Sequence, residues 1–161
     1  MNYSLKPVRP ADEAFLYRLY LSTRSGEVAQ WGWPEAQQEM FLKMQFQAQL
    51  RHYRAVYPDA QDSLVYPVPA DLKAEPAGRL LVARAPGEIR LVDIALLTEW
   101  RGKGLGSAII KTLIEEASRS ASTIYLSVTV ENRAAAKLYR RLGFEENTSD
   151  GIYIGMQWKN Q

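Results

Sequence analysis

The segment Arg101-Gly102-Lys103-Gly104-Leu105-Gly106-Ser107 stands between an apolar, β-branched stretch and a stretch with helical periodicity. A helix start presents N–H groups without partners and the positive end of the helix dipole. Glycines there remove the Cβ atoms that would hold an anion away from the backbone. With the cations Arg101 and Lys103 alongside, the segment has the makings of a diphosphate cradle. Two common phosphate loops do not fit it. A triphosphate loop needs Gly-Lys followed by Ser or Thr, and Gly102-Lys103 is followed by Gly104. A dinucleotide fingerprint needs Gly-x-Gly-x-x-Gly, and the spacing here is Gly-x-Gly-x-Gly.

A second segment, Asn132 through Phe144, carries Asn132 and Tyr139 seven residues apart, on one face of a helix and two turns from each other. Ala134, Ala135 and Ala136 between them permit close approach of something bulky. Asn132 reads as an N-cap, as a contact to that partner, or as both. Tyr139 reads as a core aromatic or as a proton donor on an otherwise apolar face. Asp93 is an acid inside the otherwise apolar run 89–97. It reads either as a base or as a structural hydrogen-bond partner of a neighbouring loop or of Arg90.

Arg101, Gly104 and Gly106 occupy every fixed position of the loop pattern Arg/Gln-x-x-Gly-x-Gly/Ala. With the Asn132–Tyr139 segment and the ending Arg141-Leu142-Gly143-Phe144, the chain resembles the GNAT family of N-acetyltransferases over about residues 79–158. Residues 1–60 resemble that family in topology only. The resemblance implies one α+β domain over residues 1–161, with a mixed central sheet flanked by helices. Residues 1–60 would supply acceptor-side helices and residues 79–158 the acyl-CoA-binding core.

The resemblance further implies acetyl-CoA as co-substrate, no metal, and transfer of the acetyl group to a primary amine of a small molecule or peptide. Backbone groups of Ile94, Ala95 and Leu96 would pair with pantetheine, and Arg101 through Ser107 (with Leu105 opening the helix) would hold the diphosphate. Asn132 and Ala135 would flank the arm, and Tyr139 would lie near the sulfur as general acid to the thiolate. Many members place a glutamate earlier on the strand before the loop. That place falls near Arg90 here, which leaves Asp93 as the nearest acid. A chain without a base could instead be a non-catalytic acyl-CoA-binding sensor.

These segments need elements to position them. The expected order is β-α-α-β-β-β-α-β-α-β-β. Residues 2–8 form a strand, and Asp12 caps a helix to about Leu21. Pro34 opens a second helix to about Tyr53, with Phe41, Met44, Ala48 and Arg51 along one face. Strands follow at 63–66 and 78–85, then at 89–97 as a central strand covered on both faces. A helix from Leu105 to about Ser118, a strand at 123–130, a helix from Asn132 closed by Gly143, and a final hairpin complete the chain. The acceptor region would draw on Tyr17, Tyr20, Arg24, Trp31, Trp33, Gln45, Gln49, His52 and Tyr53. Trp31 and Trp33 read either as a lid or as a staple holding their loop to the core.

Composition bounds the function. At 161 residues and 47% hydrophobic, the chain can bury a core of its own. Lys and Arg exceed Asp and Glu by only 20 to 18, too little to favour nucleic acid or an anionic membrane as partner. The absence of cysteine excludes disulfides, thiolate metal sites and a cysteine nucleophile. Met1 through Pro7 lacks the apolar core of a secretory signal, and no apolar run nears the roughly 20 residues of a membrane span. A cytoplasmic protein is expected, with the final hairpin or an edge strand as the route to a homodimer.

Overall fold

The computed structural model describes residues 2–69 and 74–160, apart from the Ser25 side chain. The strands are β1 (Asn2–Pro7), β2 (Gln61–Val68), β3 (Gly78–Ala85), β4 (Glu88–Leu96), β5 (Thr123–Thr129), β6 (Glu145–Ser149) and β7 (Tyr153–Trp158). The helices are α1 (Glu13–Ala29), α2 (Glu35–Val56), α3 (Leu105–Ser120) and α4 (Arg133–Arg141). Their order along the chain is the expected one. The strands form one sheet in the order β1-β2-β3-β4-β5-β7-β6. Every neighbouring pair is antiparallel except β4 and β5, which α3 joins as a parallel crossover.

Side chains alternate across the sheet, so each face has its own apolar layer. Val65, Leu80, Val82, Ile89, Leu91, Leu126 and Met156 point to one face and pack with Leu105, Ile109 and Leu113 of α3. Leu64 points to the other face and packs with Leu16 and Tyr20 of α1 and Leu42, Phe46 and Leu50 of α2.

The packed face of α2 is not the expected one. Leu42, Phe46 and Leu50, four apart, are buried, while Met44 is 62% exposed. Two apolar rows run along this helix, and only the row that meets the sheet is covered. Helix α1 continues past Leu21 to Ala29, because the Ser22 and Thr23 hydroxyls bond back to the Leu19 and Tyr20 carbonyls and leave the helix intact. Asp12 stands at the N-cap of α1, but its carboxylate accepts the Arg9 N–H (2.8 Å) rather than a helix amide. Strand β4 has its second half only half-buried, so it is not covered on both faces throughout. Among the described residues, no helix is long and apolar enough to cross a membrane.

The docking of α2 has a direct test. Phe46→Ala should cost about 3–5 kcal/mol in urea unfolding. Met44→Ala should stay within about 0.5 kcal/mol. The opposite ranking would mean that α2 packs through the Met44 row.

Candidate active site

The pair β4–β5 runs only from Glu88 opposite Thr123 to Leu91 opposite Leu126. Both strands go on, β4 to Leu96 and β5 to Thr129, without pairing to each other. The cause lies on the other edge of β4. There Val82 faces Leu91 and Leu81 faces Asp93, so Val92 is one residue too many. Such a bulge bends its strand and increases the local twist. Beyond it β4 stays with β3 as far as Leu96 opposite Gly78, and β5 stays with β7 as far as Thr129 opposite Tyr153. A Cβ on Gly78 would collide with the Ala95 carbonyl, so glycine permits the close β3–β4 approach at this end. The sheet therefore splits at its centre, with Ile94, Ala95 and Leu96 along one lip. Their backbone groups on the β5 side have no strand partner, an arrangement that calls for an outside one.

The glycine loop closes the end of the split. Gly102 and Gly104 have φ of +71° and +87°, which side chains resist, and Gly104 is the N-cap of α3. The first bond of the helix is Ala108 N–H to the Gly104 carbonyl. Among the described residues, the N–H groups of Gly102 through Ser107 have no backbone acceptor. Gly106 lies between Leu96 and Leu138, where an added Cβ would be 3.8 and 4.0 Å from their side chains. Arg101 is placed differently from the expectation of a free cation. Its Nε donates to the Leu96 carbonyl (2.9 Å) and its Nη2 to Ser22 Oγ (3.4 Å), so it is a strut tying the loop to β4 and α1. Lys103 is exposed, with Nζ 5.2 Å from the centroid of the Trp100 ring.

Helix α4 borders the same split. The Asn132 carboxamide oxygen accepts the Ala135 N–H (3.2 Å), which makes it the N-cap, and among the described residues its NH2 has no hydrogen-bond partner. Gly143 at φ +101° and the bond from Phe144 N–H to the Tyr139 carbonyl end the helix. Tyr139 is buried beside Phe144, ring centroids 5.7 Å apart. Burial, with a smaller effect from the Asp93 charge, pushes its hydroxyl up to about 12, so the phenol keeps its proton.

Asp93 is the first β4 residue on the far side of the bulge. Burial pushes its carboxyl up to about 6; Arg79 opposes the rise, Asp62 adds to it, and the Ile94 N–H opposes it. Arg79 is 5% exposed and holds Asp62 in a two-pronged pair with both N···O distances 2.8 Å. Its guanidinium lies 5.5 Å from the centroid of the Tyr53 ring. Burial, then the charge of Asp93, raises the Tyr53 hydroxyl. Arg90 is not the partner of Asp93; it lies over the Tyr125 ring at 5.7 Å. The cluster of Tyr53, Asp62 and Arg79 around Asp93 was not foreseen from the sequence. Its one signal there was the pair of charges, Asp62 and Arg79, flanking apolar strand segments.

Elsewhere on the acceptor side, Trp31, Trp33 and Phe41 pack on one another with centroids 5.1–5.5 Å apart, which fastens the α1–α2 connection to α2. His52 is exposed and Gln45 faces solvent, while Gln49 and Tyr53 are half-buried. Among the described residues, no group of three or more His, Asp or Glu could hold a metal ion.

The seven-stranded mixed sheet with its flanking helices matches the fold of solved N-acetyltransferases. The PaiA N-acetyltransferase from Thermoplasma acidophilum, solved in complex with coenzyme A, superposes with a TM-score of 0.70 at 14% identity, over 99% of each chain. The sequence model of the acetyltransferase (GNAT) family matches residues 14–144, and the chain belongs to that family. The [ribosomal protein bS18]-alanine N-acetyltransferase of Escherichia coli (strain K12) is 40% identical over 62 residues, 38% of this chain and 42% of that protein. An N-alpha-acetyltransferase of Sulfurisphaera tokodaii is 36% identical over 58 residues, 35% of each. The chain thus spans less than half the length of these relatives.

The raised Asp93 has a consequence for stability. Its folded-state value of about 6 lies above the ordinary 3.8, so between these values the folded chain binds more protons than the unfolded one. Its contribution is complete below about pH 4 and is lost as pH rises through about 6. Asp93→Asn should therefore gain about 3 kcal/mol over the parent at pH 8 in urea unfolding, and nothing at pH 4. An equal effect at both pH values would show that ionisation of Asp93 carries no cost.

Proposed function

We propose that this chain is an acetyl-CoA-dependent N-acyltransferase that acetylates a primary amine by direct attack. Tyr139 would act as general acid toward the thiolate, and Asp93 would take the proton of the amine. The observation that carries this reading is the split between β4 and β5, with six successive bare amides, Gly102 through Ser107, at one end.

An extended arm carrying amides fits such a lip as an added strand, pairing with Ile94 and Ala95. The Leu96 carbonyl is already used by Arg101, so Leu96 contributes less than its neighbours. The bare amides of Gly102 through Ser107, the α3 dipole and Lys103 suit the diphosphate. Asn132 and Ala135 would flank the arm. The thioester would then lie between Tyr139 and Asp93, which are close enough for the charge of one to affect the other.

The amine nitrogen attacks the thioester carbonyl carbon and the C–S bond breaks. A β4 backbone N–H facing the split offers a donor to the carbonyl oxygen as its charge grows. The amine proton goes to the Asp93 carboxylate and from there to solvent. The Tyr139 hydroxyl donates to the departing sulfur. A phenol held at about 12 carries its proton at any physiological pH, yet full transfer to a thiolate of ordinary pKa near 8.5 is uphill, so hydrogen bonding to the sulfur carries the step.

A carboxylate with a value of about 6 suits a weakly basic acceptor. A peptide α-amine, at about 7.7–8.0, is far easier to deprotonate than a lysine at about 10.4. The names of the two relatives point the same way, so a peptide with a free α-amine is the first acceptor to test.

Calorimetry with coenzyme A and thiol release from acetyl-CoA in the presence of peptide amines are the measurements. Tyr139→Phe should lower kcat about 100-fold with coenzyme A affinity unchanged. Gly104→Val should abolish that affinity, because φ +87° is closed to a β-branched residue. The parent's kcat/KM should fall below about pH 6, and Asp93→Asn should remove that limb. A parent that neither binds coenzyme A nor releases thiol would sink the proposal.

A further inference from the structure

The bulge at Val92 decides what surrounds Asp93. Ile89 and Leu91 point into the α3-side core, and strict alternation would send Asp93 after them. The extra residue reverses the phase. Asp93 now faces Leu81, and Leu81 faces Asp62, so the three stand in one row across β4, β3 and β2. Facing residues share a side of the sheet. Arg79, two positions from Leu81 on β3, projects from that same side, under α2.

Arg79 thus serves two carboxylates with one guanidinium. Both of its prongs go to Asp62, at 2.8 Å each, and only through-space attraction is left for Asp93. Asp62 reaches solvent through a cavity of about 420 Å³ between the α1 start and the α2 end, while the Arg79 side chain is 6% exposed and Asp62's 31%. The buried cation is held by a wetter partner on the side away from the split. From the other elements, Tyr53 of α2 and Tyr139 of α4 face Asp93, and both keep their protons.

On the reading that Asp93 accepts the amine proton, we propose that Asp62 and Arg79 are positioning residues for it: Asp62 draws the guanidinium to itself, so that Asp93 is close to a cation without being ion-paired by it, and stays a competent base near neutrality. A carboxylate gripped by both prongs of a buried arginine is a poor base. One with no cation nearby stays protonated. The shared arginine leaves Asp93 between these extremes.

The two partners act with opposite signs, which gives a test that a merely structural role would not pass. The Asp93 carboxyl is followed by carbon-13 NMR titration, and in parallel by the acid limb of kcat/KM with acetyl-CoA and a peptide amine. Asp62→Asn frees Arg79 for Asp93 and should move both midpoints down by about 1 pH unit. Arg79→Gln should move both up by a similar amount, and Arg79→Lys, which keeps the charge, should largely restore the parent midpoint. If Arg79→Gln does not fold, the partly exposed Asp62 site carries the test alone. Midpoints that stay fixed, or that move the same way in both variants, overturn the inference. An acid limb that survives in Asp93→Asn overturns the base assignment itself, and this inference with it.

Discussion

One surplus residue in β4 governs this molecule. Val92 has no partner on β3, so β4 bends there, and the bend does two things at once. It ends the parallel pairing with β5 after Leu91 and so opens a sheet at its middle, where unpaired backbone is costly unless something fills the gap. It also turns Asp93 from the α3-side core to the side where Arg79 and Asp62 stand. Opening and acid arise from one local irregularity, which is why they lie next to each other.

The surroundings of the split divide the labour by burial. Tyr139 and Tyr53 are kept neutral because burial outweighs everything else: no cation opposes it at Tyr139, and at Tyr53 the pull of Arg79 is smaller than the burial and the push of the Asp93 charge. Asp93 suffers the same desolvation, but Arg79 holds part of it back, which leaves a group that titrates near neutrality. A carboxyl held in this state lowers stability at the pH where it is ionised, and such local cost is common where chemistry is done.

The loop at the end of the split relies less on side-chain charge than its composition suggests. Arg101 braces β4 and α1, and Lys103 lies beside Trp100, so the proposed hold on a diphosphate would rest mainly on the row of backbone amides. Arg101 also fixes where that row sits relative to Leu96, the last residue of the lip. A binding surface made of backbone is indifferent to side-chain identity but strict about φ. This accounts for two left-handed glycines within three residues.

Local chemistry settled much at the level of sequence. The glycine loop, the Asn132 cap, the Gly143 stop and the element order depend on short-range sterics and hydrogen bonds, and each could be read from neighbouring residues. The choice between Met44 and Phe46 as the packed row of α2, the use of the Arg101 guanidinium, and the company of Asp93 could not. Each was decided by contacts between residues distant in the chain: which helix face met the sheet, which carbonyl lay under an arginine, and how a one-residue excess was absorbed between β3 and β4. Alternation predicts the face of a strand residue only while the register holds, and the register is a property of two strands, which neither sequence segment carries alone.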